Sequence, residues 1–219
     1  IAARDCPVLV VGESGTGKVM FARGIHGLSA RRGGPFHTQY CGESPTRTDA
    51  EVARSLPRAE GGTLAVDGIV RAPPTAQDAL YAAIQTGRLS GTASPRSEQC
   101  DVRILALTNP DATPDMATAV VEGTFRRDLY EAFADATFTI PPLREHPEGI
   151  PMLVEHFLRR LSAGWQRAAP SVAPETMDLL VAYEWPRNAR DLMFALEYAA
   201  PRCDGPTLLP EHLPDAITR

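Results

Sequence analysis

Apolar residues in this chain fall into short continuous runs separated by longer amphipathic stretches, and that alternation predicts the elements. Pro7-Val8-Leu9-Val10-Val11 is an unbroken apolar run closed by Gly12, as expected of a strand covered on both faces in a parallel sheet. Lys18 to Leu28 places Val19, Phe21, Ala22 and Ile25 near one face, which is helical spacing. Arg31 to Pro35 reads as a loop, Phe36 to Cys41 as a second strand and Asp49 to Leu56 as a short helix. Gly61-Gly62 marks a turn before Thr63-Leu64-Ala65-Val66-Asp67, a third strand ending in a carboxylate.

The same alternation continues through a helix over Ala76 to Gln85 and a Gly-, Ser- and Arg-rich loop or hairpin from Gly87 to Gln99. A fourth strand, Val102 to Thr108, ends at Asn109. Helical stretches near Ala117 to Glu122 and Phe125 to Phe133 precede a fifth strand, Thr137 to Ile140. Strands alternating with helices predict an α/β fold with a parallel sheet flanked by helices. Pro141-Pro142 interrupts the pattern, and from Glu148 onward the chain reads only as helices: Gly149 to Gly164, Pro174 to Tyr183 and Asn188 to Ala200. The expected division is an α/β subdomain over residues 1–143 and a small all-helical lid over 144–219.

Composition narrows the function classes. Of the 219 residues 43% are hydrophobic and 22% charged, so an ordinary globular core is expected rather than disorder. The net charge of -5 argues against a general nucleic-acid binder, which needs a basic surface. Cys6, Cys41, Cys100 and Cys203 are widely spaced, without a C-x-x-C pair, so reduced core thiols of a cytoplasmic protein are expected rather than zinc ligands. No apolar run has membrane-spanning length and no signal peptide is visible. The start at Ile1, directly before a strand, reads as an excised fragment.

The most specific chemistry lies after the first strand. Gly12-Glu13-Ser14-Gly15-Thr16-Gly17-Lys18 fits G-x-x-x-x-G-K. In this pattern glycines turn backbone N–H groups inward around a phosphate, the following helix adds its positive end, and the lysine adds a mobile charge. A Gly-rich turn with no ligand is the plainer alternative. The motif usually ends in Ser or Thr, whose hydroxyl touches magnesium; here the next residue is Val19.

With these residues in view, the chain resembles the AAA+ domain of bacterial sigma-54-dependent transcription activators over nearly its whole length. That family also lacks the Ser or Thr after the lysine. Gly61 to Asp67 resembles the family's second nucleotide motif, and Asp101-Val102-Arg103-Ile104 to Asn109 its sensor I strand. Gly123 to Tyr130 resembles its arginine-finger segment. Pro141 to Glu145 and Trp185 to Leu192 resemble its lid entry and sensor II. The resemblance implies ATP or ADP with Mg2+, a homo-oligomeric ring with nucleotide between subunits, and remodelling of RNA polymerase holding sigma-54. It also implies further domains of the same regulator, a sensory domain and a DNA-binding helix-turn-helix, and no membrane partner.

Carried over residue by residue, the resemblance gives Gly12 to Lys18, Val19 and Arg190 to the nucleotide, Asp67 to the metal, and Asn109 and Arg126 to catalysis. Each has a plainer reading: a strand-end carboxylate for Asp67, a turn-forming Asn before Pro110 for Asn109, ion pairs for Arg126 and Arg190. The departures matter as much. Gly68 stands where the family has a catalytic Glu, and a positioned base contributes roughly 10²–10⁴ in rate. Ala132 replaces a second arginine, and Tyr40 replaces the Asn that restrains the missing Glu. Gly42 to Glu60, with Pro45, Thr46 and Arg47 as a plain connection, lacks the long helical insertion carrying the Gly-Ala-Phe-Thr-Gly-Ala loop that touches sigma-54.

Three functions remain open on the sequence. A degenerate nucleotide-binding regulator fits the intact loop with Gly68 and Ala132. An active ATPase on another target needs a substitute base, with Glu13, Glu60 and Asp111 as candidates. A scaffold that binds no nucleotide needs the loop to be a relic.

Overall fold

The computed structural model describes residues 2–42, 45–88, 99–111, 115–164 and 168–218, and their side chains except at 45–50. The chain forms two compact units: Ile1–Gly12 with Gly17–Ile140, and Glu13–Thr16 with Pro141–Arg219. Each is described on its own.

The first unit is built on five strands: β1 (Val8–Val11), β2 (Phe36–Tyr40), β3 (Thr63–Asp67), β4 (Arg103–Thr108) and β5 (Thr137–Thr139). All pair in parallel, in the order β2-β3-β4-β1-β5. Successive side chains of a strand point to opposite faces, and the two cores divide accordingly. Val8 and Val10 of β1 join Ala65, Leu105 and Leu107 under Ala22 and Ile25 of α1 (Lys18–Gly27). Leu9, Leu64, Val66, Ile104 and Ala106 face the other way. There they meet Val52 and Leu56 of α2 (Pro45–Arg58), Leu80 and Ala83 of α3 (Pro74–Thr86), and Phe125, Leu129 and Phe133. Burial of strands on both faces is what the continuous apolar runs require.

Two short helices complete this unit, α4 (Met116–Val121) and α5 (Arg127–Glu131). Asp115 caps α4, its Oδ1 accepting from the Thr118 N–H at 2.9 Å. The segment read as a plain connection at Pro45, Thr46 and Arg47 is instead the first turn of α2. Proline is compatible with that place because its missing N–H is not needed at a helix start. Val52, Ser55, Leu56 and Ala59 are buried at helical spacing. Of the loop or hairpin expected over Gly87 to Gln99, residues 89–98 lie outside the described residues; Arg88 and Gln99 form an isolated antiparallel bridge.

The second unit contains α6 (Ile150–Gly164), α7 (Pro174–Ala182), α8 (Asn188–Ala199) and α9 (Asp215–Thr218). Ile150, Val154 and Leu158 of α6 lie four apart and pack with Leu180, Trp185, Leu192, Leu196 and Leu208. Trp185 is 1% exposed, and its indole N–H donates to Leu180 O at 2.8 Å, the partner a buried indole requires. The helical lid expected from the sequence is present, with one small addition. β6 (Ser171–Val172) and β7 (Thr207–Leu208) form a two-stranded parallel sheet. Two-residue strands carry no readable alternation, and this pair is joined by packing: Leu208 is fully buried and its carbonyl accepts from the Ala173 N–H at 3.0 Å.

Candidate functional site

In a parallel sheet the C-terminal strand ends are where ligand chemistry concentrates. In the first unit β1, β3 and β4 bring Gly12, Asp67 and Asn109 to that edge. Gly12 donates its N–H to Thr108 O at 3.1 Å, tying the start of the loop to β4. Gly17, at φ 91°, precedes α1, and Lys18 Nζ donates to Gly12 O at 2.7 Å. The lysine thus folds back along the loop that precedes its own helix. Val19 is half-buried against the α1 face of the sheet and brings no hydroxyl.

The remaining loop residues, Glu13 to Thr16, group with the second unit, which holds them tightly. Arg144 Nη2 and Nη1 donate to Glu13 Oε1 and Oε2 at 2.6 and 2.8 Å. Asn188 Nδ2 donates to Glu13 Oε2 at 3.1 Å and to Ser14 O at 3.0 Å. Arg190 Nη1 donates to Ser14 Oγ at 3.1 Å, and Thr16 Oγ1 donates to Glu13 O at 2.9 Å. The Arg144 guanidinium, helped by the Asn188 amide, holds the Glu13 carboxyl down to about 2. Gly15 sits at φ 83°, and a Cβ there would lie 2.0 Å from Arg187 O, so no other residue fits without moving backbone.

At the end of β3 the backbone turns sharply. Gly68 adopts φ 73°, ψ 33°, with its N–H donating to Leu107 O at 3.0 Å while Asp67 O accepts from the Cys41 N–H at 2.8 Å. A Cβ on Gly68 would stand 2.9 Å from Cys41 O and 3.9 Å from Tyr40 Cε2. A side chain at position 68 would therefore meet both a left-handed backbone and a close carbonyl. Cys41 beside it is fully buried; burial, then the Asp67 and Glu51 carboxylates, push its thiol up to about 12. Such a thiol is inert.

Asn109 uses its side-chain oxygen locally: Oδ1 accepts from the Asp111 N–H at 3.0 Å, the turn geometry an Asn favours. Arg126 pairs with Asp78 and Asp128, and Ala132 caps the end of α5. Of the candidate bases, Glu60 accepts from the Asp101 N–H at 3.1 Å. That contact lies before β3 and β4 begin, at the opposite end of the strands from Asp67, roughly 15 Å away at about 3.3 Å per residue. Glu13 is engaged by Arg144, and Asp111 stays beside Asn109. Sequence reasoning gave no role to Arg144, Asn188 or Thr108. The first two hold the loop; the third has a buried hydroxyl without a hydrogen-bond partner. Their polar character was visible, but their partners are distant in sequence. Among the described residues no group of three or more His, Cys, Asp or Glu could hold a metal ion, and no helix is long and apolar enough to cross a membrane.

Known proteins agree with this architecture. Residues 1–143 match the sequence model of the Sigma-54 interaction domain, and residues 144–219 that of the AAA+ ATPase lid domain. The chain is 35% identical to the transcriptional regulatory protein ZraR of Salmonella typhimurium over 99% of this chain and 52% of the relative. It is 36% identical to the phenol regulator MopR of Acinetobacter guillouiae, over 96% of this chain and 39% of that protein. Among solved structures, NtrX from Brucella abortus in complex with ADP aligns with a TM-score of 0.89 at 28% identity, over 99% of this chain and 51% of that one. NtrX in complex with ATP aligns equally well, over 99% and 50%. The chain spans about half the length or less of the curated relatives it matches. From the phosphate loop to the lid, it belongs to the sigma-54 interaction domain family of AAA+ transcription regulators.

Proposed function

We propose that this chain is a nucleotide-binding module that takes ATP or ADP and has lost most of its capacity to hydrolyse it. The carrying observation is the loop itself: left-handed glycines at 15 and 17 ahead of α1 with Lys18 at its first turn. That is the chemistry of a phosphate cradle. NtrX is known in complex with ADP and with ATP, and the same ligands are proposed here. Gly12, Gly15, Gly17 and Lys18 would hold the phosphates. Arg190 and the polar atoms of Ser14 and Thr16 belong to the same loop chemistry. Among the described residues Asp67 is the strand-end carboxylate for Mg2+, and since Mg2+ commonly keeps several waters and takes one or two carboxylates plus phosphate oxygens, the missing hydroxyl at Val19 does not exclude it.

Impaired turnover follows from Gly68, which supplies no base, and Ala132, which supplies no arginine. Loss of the usual sigma-54 contact follows from the segment between Cys41 and Gly61, occupied by α2 and free of the Gly-Ala-Phe-Thr-Gly-Ala sequence. Nucleotide occupancy would then set contacts with other domains of the same regulator, or with further copies of the chain where a side chain is free to reach their phosphate. The bacterial cytoplasm is the compartment this role requires. DNA would be reached only through another domain.

The test is a titration with labelled ATP and Mg2+ beside a phosphate-release assay. Saturable binding that disappears in Lys18→Ala, with turnover near background, is expected. Absence of saturable binding, or turnover at a rate ordinary for the family, overturns the reading.

A further inference from the structure

Arg126 heads the arginine segment, yet its side chain is committed within its own chain. Nε and Nη2 donate to Asp128 Oδ1 and Oδ2 at 2.9 and 2.6 Å, a fork on one carboxylate. Nη1 donates to Asp78 Oδ1 from the other side. Arg126 Cζ also lies 4.7 Å from the centre of the Tyr81 ring, within the cation–π reach of about 6 Å.

These partners differ in kind. Asp128 is two residues along the same segment and moves with Arg126. Asp78 and Tyr81 sit three apart on α3, hence on one face of it, and tie the guanidinium to a different element. The backbone is tied to α3 as well. Arg126 N–H donates to Gln77 Oε1 at 2.8 Å, while Gln77 Nε2 donates to Ala72 O and Thr124 O at 2.7 and 2.9 Å. Gln77 is 1% exposed, so that backbone anchor is shielded from water. The side-chain contacts are more open: Arg126, Asp78 and Asp128 are 36%, 56% and 43% exposed at their side chains, so water can compete for each of them.

We propose that Asp78 and Tyr81 are positioning residues that hold Arg126 in an intrachain clamp, withholding it from a phosphate bound to a second copy of the chain. The inference rests on the nucleotide-binding reading and adds the regulation of that site. Two carboxylates fix the guanidinium's direction, and a third anion, arriving from a neighbouring molecule, must displace at least the Asp78 contact and the ring. Replacing the Asp78 carboxylate by an amide removes the charged tie to α3 and leaves the Tyr81 ring and the Asp128 fork, which swings with the arginine.

Sedimentation velocity tests this, run with saturating ATPγS and Mg2+ and with occupancy checked by calorimetry on the same samples. The expected result is that the wild-type protein sediments alike with and without nucleotide. Asp78→Asn gains nucleotide-dependent association, Asp78→Glu behaves as wild type, and Asp78→Asn with Arg126→Gln loses the gain. If wild type already associates with nucleotide in a manner abolished by Arg126→Gln, the clamp does not withhold the arginine. If Asp78→Asn binds ATPγS yet sediments as wild type, the inference is equally overturned. Should no sample bind ATPγS, the nucleotide reading fails separately, and a nucleotide-free double-mutant cycle decides the clamp. Melting-point losses of Asp78→Asn and Arg126→Gln smaller together than their sum support it; strictly additive losses overturn it.

Discussion

Glu13 and Arg144 form a two-point ion pair, with both guanidinium Nη atoms donating to both carboxylate oxygens at 2.6 and 2.8 Å. It fixes the tip of the phosphate loop to the lid entry within one compact unit. The partners are 131 residues apart in sequence.

This pair makes an acid-sensitive contribution. The Glu13 carboxyl, ordinarily near 4.5, is held at about 2, first by Arg144 and then by Asn188. A carboxyl whose value is depressed in the folded state stabilises fully above its unfolded value and loses that effect as pH falls through the folded one. Unfolding followed by tryptophan fluorescence should therefore show a loss of lid stability between about pH 4.5 and 2. Glu13→Gln should flatten that dependence and lower the midpoint at neutral pH. An unchanged pH profile in Glu13→Gln would show that the pair contributes nothing.

Asn188 is the second point of attachment. It is buried, adopts φ 54°, donates to Glu13 and Ser14, and accepts from the Leu143 N–H at 2.7 Å. Asn188→Ala should cost about 2–4 kcal/mol, since several buried groups lose their partner at once. Asn188→Asp keeps the acceptor for Leu143 but sets a carboxylate against Glu13 and the Ser14 carbonyl, so it should be no better. Urea denaturation of both variants measures this, and a loss under 1 kcal/mol in Asn188→Asp would contradict it.

Gly15→Ala places a methyl group where the Arg187 carbonyl already stands, 2.0 Å away, on a backbone at φ 83°. Strain of this kind costs on the order of 1–3 kcal/mol before the clash is relieved. The variant should melt earlier and bind ATP at least tenfold more weakly by calorimetry. Gly24→Ala, in the interior of α1 with open space around a Cβ, is the control and should be neutral or stabilising.

Gly68→Glu should not restore turnover. The left-handed backbone costs a side chain about 1–2 kcal/mol, and its Cβ would press on Cys41 O at 2.9 Å. Phosphate release should stay near background while the melting point falls. Recovery of turnover in Gly68→Glu alone would mean that the β3 terminus relaxes freely and that only the missing carboxylate limits hydrolysis.

The strands were readable because β1, β3 and β4 are buried on both faces and so must be apolar throughout. The loop was readable because its glycines are demanded by backbone geometry. α2 was underestimated because proline reads as a break, although a helix start accommodates it. β6 and β7 were not readable, since two residues hold no period and their pairing spans 36 positions. At the candidate site the residue types were visible, but the plainer readings of Asn109 and Arg126 could be weighed only once Asp111, Asp78 and Tyr81 were seen beside them.

By itself, then, the amino-acid order determined a G-x-x-x-x-G-K loop on a parallel sheet, the presence of glycine at 68 and alanine at 132, and the family. Those are local properties: run length, glycine spacing and residue identity at a motif position. Only the tertiary structure decided that Glu13 is bound by Arg144 and Asn188, that Gly68 is left-handed against Cys41, and that Arg126 is turned onto α3. Each depends on groups brought together from distant parts of the chain, and the free energy of such contacts exists only after the fold has closed the loops between them.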